Sequence, residues 1–343
     1  MKSPVRRPTI TDVAQLAGVS HQTVSRYLRF NGGLKPATQA KVEAAIEELD
    51  YSPNLVARSM RTRRSGRLAV LMPTMAFNPS RMLAGASGAA HAAGYVVDVI
   101  SAEGGAQART DRALELVSTG QVEGILSLAP LLPSVRTRLQ QTTTVVVSAD
   151  FDDEMRGIGA LANGTPVREL IEGLAELGHE QFFHVAGSQQ FASARARRQV
   201  YLDTVAQLGL RSVGVFDGDW SGTSGVDAVH SLADRDRPTA VIAANDLVAA
   251  GVIRGALQRG WKVPEDLSVT GWDNELIGRF LTPSLTTVDV DLEGLGRGAM
   301  TKLMAGINGT EPPAEGDDLF KIVWRESTSD RRGGPESAGR GDS

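Results

Sequence analysis

A short stretch near the N-terminus carries a high density of side chains that can hydrogen-bond to a nucleic-acid duplex. Glutamine can pair with adenine and arginine with guanine through two hydrogen bonds each, and serine and threonine hydroxyls suit phosphate oxygens. The candidate side chains lie close together in the sequence: His21, Gln22, Thr23, Ser25, Arg26 and Arg29. This pattern predicts a surface that reads DNA. The alternative is the solvated polar face of a small three-helix domain.

The elements that must position these side chains follow from apolar spacing and turn residues. Apolar residues at helical intervals predict a helix over 9–17, with Thr9 or Thr11 as its N-cap. Gly18 supplies a tight turn, and Ser20 is suited to cap a second helix over 21–28. A third helix is expected from about 36 to 49. Helix, glycine turn, capped helix and supporting helix form the helix-turn-helix plan.

Charge is distributed unevenly along the chain. Residues 1–67 contain 12 Lys and Arg against 5 Asp and Glu, whereas the remainder contains 24 against 35. A basic head on an acidic body indicates a polyanionic partner for the head alone, although a solvated basic tail remains an alternative. Cysteine is absent. The basic N-terminus lacks a following apolar stretch, and no long apolar run occurs, so we expect a cytoplasmic protein.

The acidic body alternates short apolar runs with helical patterns of ten to fifteen residues. This alternation predicts parallel sheets with right-handed crossovers, in two doubly wound α/β lobes with a ligand cleft at the carboxyl ends of the strands. The predicted strands span 68–72, 95–100, 124–128, 144–148, 182–186, 212–216, 240–243 and 267–270.

No segment offers candidate catalytic chemistry. The five histidines lack metal-ligand spacing, and neither a nucleophile elbow nor a P-loop occurs. Residues 157–162 match a dinucleotide fingerprint, but an acidic stretch rather than a strand precedes them, so the match is attributed to chance. We therefore expect no enzyme activity, no cofactor and no metal.

Residues 9–28 and 41–58 strongly resemble the lactose-repressor (LacI/GalR) family of transcription regulators, and the resemblance continues into the body. It implies that His21, Gln22 and Arg26 read bases in the major groove. It also implies that residues 54–61 form a hinge helix only on operator DNA, where the pair of hinge helices opens the minor groove. The hinge positions assigned to DNA contact are Asn54, Ala57 and Met60, and Met60 stands where the family usually has leucine.

The same resemblance implies a body like that of periplasmic sugar-binding proteins. One lobe would contain 67–161 and 289–318, and the other 162–288 and 319–328. The residues implied to bind the effector are Phe77, Leu161, Arg197, Trp220, Asn245 and Asp273. Polar groups would bind sugar hydroxyls and Trp220 the apolar sugar face. A low aromatic content of 5% mildly favours a sugar inducer over the alternative, a purine-type corepressor.

Four regions are predicted: a DNA-binding head at 1–50, a hinge and linker at 51–66, an effector-binding body at 67–328 and a disordered tail at 329–343. We expect a homodimer on a palindromic operator, because one recognition helix reads only a half-site. Small residues at 82–93 are a candidate interface between protomers. The tail lacks a leucine heptad, so a tetramerising coiled coil is not expected.

Overall fold

The structure, a computed structural model, describes residues 8–30, 34–51, 64–73, 80–133, 145–148, 151–312 and 319–332. Its contacts divide the chain into a head and a body. The hinge residues Asn54, Ala57 and Met60 lie outside the described residues, and so does Phe77.

The head consists of three helices, α1 (Ile10–Ala17), α2 (His21–Phe30) and α3 (Pro36–Glu48), as predicted. Thr9 caps α1 in a reciprocal capping box: its hydroxyl accepts from the backbone N–H of Asp12, whose carboxylate accepts from the backbone N–H of Thr9. Gly18 ends α1 in the left-handed region at φ 64°. A small apolar core joins the helices, with these residues buried: Val13, Ala14, Ala17, Val24, Val42, Ala45 and Tyr51.

One lobe of the body is built on a four-stranded sheet in the order β2-β1-β3-β4. Its strands are β1 (Arg67–Met72), β2 (Val96–Ser101), β3 (Gly124–Ser127) and β4 (Val145–Ser148), and its intervening helices are α4 (Ser80–Ala92) and α5 (Gly105–Ser118). β1 pairs with β3 and β3 with β4 in parallel, as expected for doubly wound topology.

The second lobe has a six-stranded sheet in the order β10-β9-β8-β7-β5-β6. Its strands are β5 (Gln181–Ala186), β6 (Arg211–Asp217), β7 (Ala240–Ala243), β8 (Ser268–Trp272), β9 (Thr286–Val290) and β10 (Phe320–Val323). One helix, α6 (Thr165–Glu176), comes before β5. Three more connect the successive strands from β5 to β8: α7 (Ala192–Gln207), α8 (Gly222–His230) and α9 (Asp246–Gln258).

Strands β9 and β10 are absent from the sequence prediction. β9 carries polar residues at 286, 287 and 289, which mask it in a search for apolar runs, yet Thr286 and Thr287 are buried. β10 is a four-residue edge strand that pairs antiparallel to β9. Between them the chain passes to the first lobe and forms α10 (Leu292–Asn308), which packs against α4.

The contact between α4 and α10 uses two glycines, one of which belongs to the stretch of small residues at 82–93. A Cβ atom on Gly85 would overlap the carbonyl oxygen of Glu293, and one on Gly296 would overlap that of Met82. The absence of a side chain at Gly85 therefore permits close packing within one chain, while an interface between protomers at the exposed small residues of 82–93 stays a prediction.

The predicted start of a disordered tail at 329 is also too early. The backbone N–H of Ser329 donates to the hydroxyl of Ser268, and that of Arg331 donates to the carbonyl oxygen of Leu177. Arg332 packs against Gly178. Ordered contacts therefore continue to Arg332, because these residues satisfy polar groups at the edge of the second lobe.

Candidate functional site

The outward face of α2 presents the side chains predicted to read DNA. His21, Gln22 and Arg26 are exposed, while Val24 on the opposite face is fully buried in the head core. The backbone and hydroxyl of Thr23 both bond to the Ser20 hydroxyl, which caps the N-terminus of α2. Exposed donors and acceptors on a helix anchored from behind are what docking into a major groove requires.

Two further residues that were predicted to contact DNA also lie on α2. Ser25 is partly exposed and lies beside Arg26, where its hydroxyl suits a phosphate contact. The structure places the backbone of Arg29 on α2, but its side chain lies outside what is described. All residues predicted to read bases therefore lie on α2. Which bases they contact stays a prediction.

A cavity of about 100 Å³ lies in the body, where the chain passes between the two lobes. Its walls come from the connection between β4 and α6, from the start of α7, from the loops after β6 and β8, and from the start of α10. The residues that line it are Phe151, Met155, Arg156, Gly157, Leu161, Ser193, Arg197, Trp220, Trp272, Asp273, Glu275, Val290 and Leu292. Leu161, Arg197, Trp220 and Asp273 were predicted from the sequence.

Arg197 is buried at the first turns of α7 and held on several sides. Its guanidinium donates to the carbonyl oxygen of Ala244 at 2.5 Å, and its carbon atom lies 3.7 Å from the ring centroid of Trp272. Burial lowers the pKa of Arg197 to about 10, and the nearby Asp273 opposes this shift. Arg197 is therefore still a cation at neutral pH, with its position fixed before any ligand enters.

Asp273 follows β8 in a backbone conformation that side chains rarely adopt, with φ 99°. Burial raises the pKa of its carboxyl group, and the nearby Arg197 acts in the opposite direction. An aspartate in a loop can serve to turn the chain as well as to bind a ligand. The structure shows both features together, because the unusual backbone turns the chain and leaves Asp273 in the cavity wall.

Asn245 does not line the cavity, contrary to the sequence prediction. Its side-chain oxygen accepts from the backbone N–H of Val248 at 2.8 Å and caps α9, and its amide nitrogen lies 3.5 Å from the carbonyl oxygen of Trp220. Because the same amide could bind either a ligand or a helix N-terminus, sequence alone could not separate the two uses. Asn245 instead helps to hold Trp220, which does line the cavity.

Arg156 is a cavity residue that the sequence reasoning missed. It lies in a tight loop closed by a bridge between Phe151 and Gly157, and Asp152 accepts from its backbone N–H at 2.8 Å. Its guanidinium carbon is 4.6 Å from the ring centroid of Trp220 and 5.5 Å from that of Phe191. Burial lowers the pKa of Arg156.

A buried arginine holds this loop from behind. Arg109 on α5 is fully buried, donates to the carbonyl oxygen of Pro130 at 2.6 Å and forms a 2.7 Å ion pair with Asp153. A charged pair with one partner buried fixes geometry, since leaving the buried charge unpaired would cost several kcal/mol. The loop that carries Arg156 is thereby fastened to the first lobe.

Asp246 connects the cavity wall to the outer surface of the second lobe. This buried residue at the start of α9 accepts from the hydroxyl of Thr287 at 2.5 Å and from the backbone N–H of Glu275 at 2.6 Å. Burial is the main cause that raises the pKa of Asp246 to about 7, and Asp273 and Glu275 add to it. Directly after Glu275, a short 3₁₀ helix exposes Leu276 and Ile277.

The aromatic content of the cavity corrects the compositional argument against a purine. Aromatic residues are only 5% of the chain, but Phe151, Trp220 and Trp272 all line this one cavity. A low average therefore says little about a site, because folding concentrates a few rings in one place. The walls offer stacking surfaces to a planar base as well as to the apolar face of a sugar.

The described residues show neither a membrane span nor a metal cluster. Across the described ranges, helices are too short or too polar to cross a bilayer. Within those same ranges, His, Asp and Glu side chains do not gather in threes where they could ligate a metal ion. The segment 157–162 contains a 3₁₀ turn, Gly159–Ala162, rather than the strand-to-helix turn that binds dinucleotides.

Sequence models of two known families match the two parts of the chain. Residues 9–54 match the sequence model for bacterial regulatory proteins of the lacI family, and residues 171–328 match that for a periplasmic binding protein-like domain. The ribose operon repressor of Escherichia coli (strain K12) is 31% identical over 316 residues, which cover 89% of this chain and 94% of the relative.

Two further matches extend over almost the whole chain. The HTH-type transcriptional repressor PurR of Pectobacterium carotovorum subsp. carotovorum (strain PC1) is 31% identical over 339 residues, covering 94% of this chain and 97% of the relative. The crystal structure of the lac repressor dimer bound to operator and the anti-inducer ONPF has a TM-score of 0.71 at 29% identity. That match covers 94% of this chain and 100% of the other.

Proposed function

The chain belongs to the LacI family of DNA-binding transcriptional repressors, and from that premise we propose that a small sugar in the interlobe cavity releases it from a palindromic operator. The observation that carries this proposal is the composition of the cavity. Arg197 and Asp273 offer hydrogen-bond donors and acceptors beside the rings of Trp220 and Trp272. A sugar ring needs both, because its hydroxyls lie around an apolar face.

The size of the cavity favours a single sugar ring. Its volume of about 100 Å³ corresponds to roughly seven to ten water molecules, at about 10–15 Å³ of accessible space for each. A monosaccharide has about as many non-hydrogen atoms, whereas an oligosaccharide would need a larger opening between the lobes.

Release follows from the position of the cavity between the lobes. A ligand that contacts Arg197 and Asp273 in one wall and Leu161 in the other favours the lobe arrangement in which both sets of contacts form. If that arrangement binds operator less well, the ligand lowers operator affinity. A hundredfold loss requires about 2.7 kcal/mol of coupling between the two sites.

The test is operator affinity with and without candidate effectors. A duplex obtained by selection from random DNA would be titrated with the full-length protein, alone and with D-ribose, D-glucose and D-galactose. We expect one sugar to weaken operator binding by about a hundredfold, which corresponds to the coupling given above. Unchanged affinity with every sugar and with a whole metabolite extract would refute effector-controlled release.

A second candidate is a corepressor of the purine type. The concentration of Phe151, Trp220 and Trp272 at the cavity favours it, and so does the 31% identity to a repressor named PurR. The same titration with hypoxanthine and guanine distinguishes the two functions. A sugar inducer weakens operator binding, whereas a purine corepressor strengthens it.

We also infer a homodimer whose interface includes an exposed apolar patch on the second lobe. Leu276, Ile277 and Phe280 belong to one short segment, and Phe280 is 73% exposed. Leu247 at the start of α9 is also exposed. It lies near this segment, because its neighbour Asp246 accepts a hydrogen bond from the backbone N–H of Glu275. Apolar residues grouped in this way mark protein-protein contact.

The dimer proposal has a matched pair of variants. Phe280→Asp should produce monomers in analytical ultracentrifugation, because a buried unpaired charge destabilises an interface by several kcal/mol. Leu208→Asp, at a residue 45% exposed at the end of α7, should leave the dimer intact. A dimeric Phe280→Asp variant would place the interface elsewhere.

The relatives are repressors rather than enzymes. We therefore infer that this chain performs no catalysis and acts in the cytoplasm, where operator DNA lies. A fluorescent fusion expressed in a bacterial cell tests the location, because it should coincide with the nucleoid. Diffuse fluorescence outside the cell envelope would contradict it.

A further inference from the structure

We propose that Glu123 is a positioning residue for operator binding, because it fixes where the linker to the DNA-binding head begins and in which direction it runs. The inference rests on the proposed dimer on a palindromic operator, and it does not depend on which effector the cavity binds. It comes from a carboxylate outside the cavity whose two oxygens are both bonded to the chain just before β1.

The carboxylate of Glu123 holds the last residues of the predicted linker at 51–66. Its Oε2 accepts from Nε of Arg64 at 2.7 Å, and its Oε1 accepts from the backbone N–H of Gly66 at 2.6 Å. The backbone N–H of Glu123 donates to the carbonyl oxygen of Arg67 at 2.8 Å. Hydrogen bonds to an ionised group are roughly twice as strong as those between neutral groups, so one residue fixes the whole stretch 64–67.

Gly66 bends the linker sharply at this point. Its φ of 67° lies in the left-handed region, which favours glycine. A Cβ atom on Gly66 would meet no atom of the described residues within 4 Å apart from its chain neighbours. The backbone conformation, rather than a lack of space, therefore calls for glycine. The hydroxyl of Ser65 supports the bend by accepting from the backbone N–H of Arg67 at 3.3 Å.

Glu123 is itself attached to a fixed part of the sheet. It directly precedes β3, which pairs in parallel with β1 from the Leu68–Gly124 position onward, and its neighbour Val122 is buried. Only 11% of the Glu123 side chain is exposed. A carboxylate with so little access to water needs hydrogen-bond donors, and the linker supplies two of them. Residues 120–123 accordingly belong to the same compact unit as residues 1–67.

A fixed start of the linker matters when two heads must bind one operator. Once one head of a dimer has bound its half-site, the other binds at an effective concentration that the length and stiffness of the linkers determine. Release of residues 64–66 would add flexible length to each linker and lower this concentration. Glu123 therefore acts on binding to the full palindrome rather than on binding of one head to one half-site.

The experiment measures the affinity of the full-length protein for the selected palindrome and for a duplex that contains one half-site. We expect Glu123→Ala to weaken binding to the palindrome by about tenfold and to leave binding to the half-site unchanged. Removal of a negative charge by itself strengthens attraction to DNA, so a loss of affinity would come from the released linker. Glu172→Ala removes an exposed carboxylate from α6. It is the charge-matched control and should leave both affinities unchanged.

Variants of Gly66 test the same stretch without changing any charge. Gly66→Ala puts a Cβ atom in the left-handed region and should weaken binding to the palindrome, whereas Gly66→Asn should weaken it less, because asparagine tolerates that region better. Hydrogen exchange reports the contact directly. The backbone N–H of Gly66 donates to Glu123 and should exchange faster in Glu123→Ala. Thermal unfolding checks that each variant folds.

Three results would overturn the inference. They are unchanged or tighter binding of Glu123→Ala to the palindrome, an equal loss of affinity for the palindrome and the half-site, and unchanged exchange at Gly66. Failure of the proposed dimer looks different. In that case the wild type would bind both duplexes equally and sediment as a monomer, which would remove the inference together with the dimer.

Discussion

The head and the body build their sites in opposite ways. The face of α2 takes its candidate contact residues from the short stretch 21–29, and it exposes His21, Gln22 and Arg26 on a helix that buries Val24 on its other side. The cavity takes its residues from 151 to 292 and encloses them between two lobes. We therefore predict that a substitution on α2 changes DNA binding alone. A substitution at the cavity should instead change how the effector alters operator binding.

Asp273→Ala should give the largest separation between the two regions. Loss of a charged hydrogen-bond partner should reduce effector affinity by about 1.5–3 kcal/mol, while operator affinity without effector stays unchanged. The measurement is operator titration at increasing effector concentration. Asp217→Ala, which removes an exposed carboxylate paired to Arg198, is the control. An equal response to effector in the wild type and in Asp273→Ala would show that the cavity does not control operator binding.

Arg26→Ala tests the opposite side of the comparison. A lost contact to one base should cost about 1–3 kcal/mol and relax selection at one position of the operator. Effector affinity should be unaffected. Lys41→Ala removes an exposed charge from α3 and should leave the selection profile unchanged. If the Arg26→Ala profile also matched the wild type, α2 would not read that base.

The two sites also differ in how much of each could be predicted from the sequence. The α2 face was predictable because helical periodicity places neighbouring residues on one surface. Arg197 and Asp273 were found by resemblance, whereas Phe151 and Arg156 were missed because only the lobe arrangement brings their loop to the cavity. Asn245 was assigned to the ligand because a capping amide and a binding amide look alike in sequence.

Asp246→Asn should change how body stability depends on pH. Because the folded pKa of about 7 lies above the ordinary value of about 3.9, the folded state binds more protons between these values. Stability from this group is therefore present at low pH and lost as pH rises toward 7, by up to about 1.4 kcal/mol per pH unit. Denaturant unfolding of both proteins at pH 5, 6 and 7 measures the slope.

The slope, rather than absolute stability, is the informative quantity for Asp246. Asparagine keeps an acceptor for the Thr287 hydroxyl but presents an N–H group to the backbone N–H of Glu275, so some stability is lost at every pH. We expect Asp246→Asn to flatten the dependence. An unchanged slope would show that the pH dependence of stability comes from other carboxyl groups.

Thr9→Ala should give the smallest effect, confined to the head. Loss of the capping box costs about 1 kcal/mol, which should speed amide hydrogen exchange in α1 by about fivefold if exchange follows local opening. Thr11→Ala is the matched control, because Thr11 is exposed and Thr9 is the N-cap. Faster exchange in the body as well would indicate that the two regions are not independent.

The glycine contact between α4 and α10 has a consequence for how mutations can alter the response to effector. Gly85 and Gly296 bring two helix backbones together just beyond Leu292, which lines the cavity. The backbones touch at these points with no side chain between them, so the packing of α10 on α4 depends directly on both glycines. Engineered sensors with altered sensitivity should therefore tolerate substitutions around the cavity, but not at these two glycines, where any larger residue separates the pair.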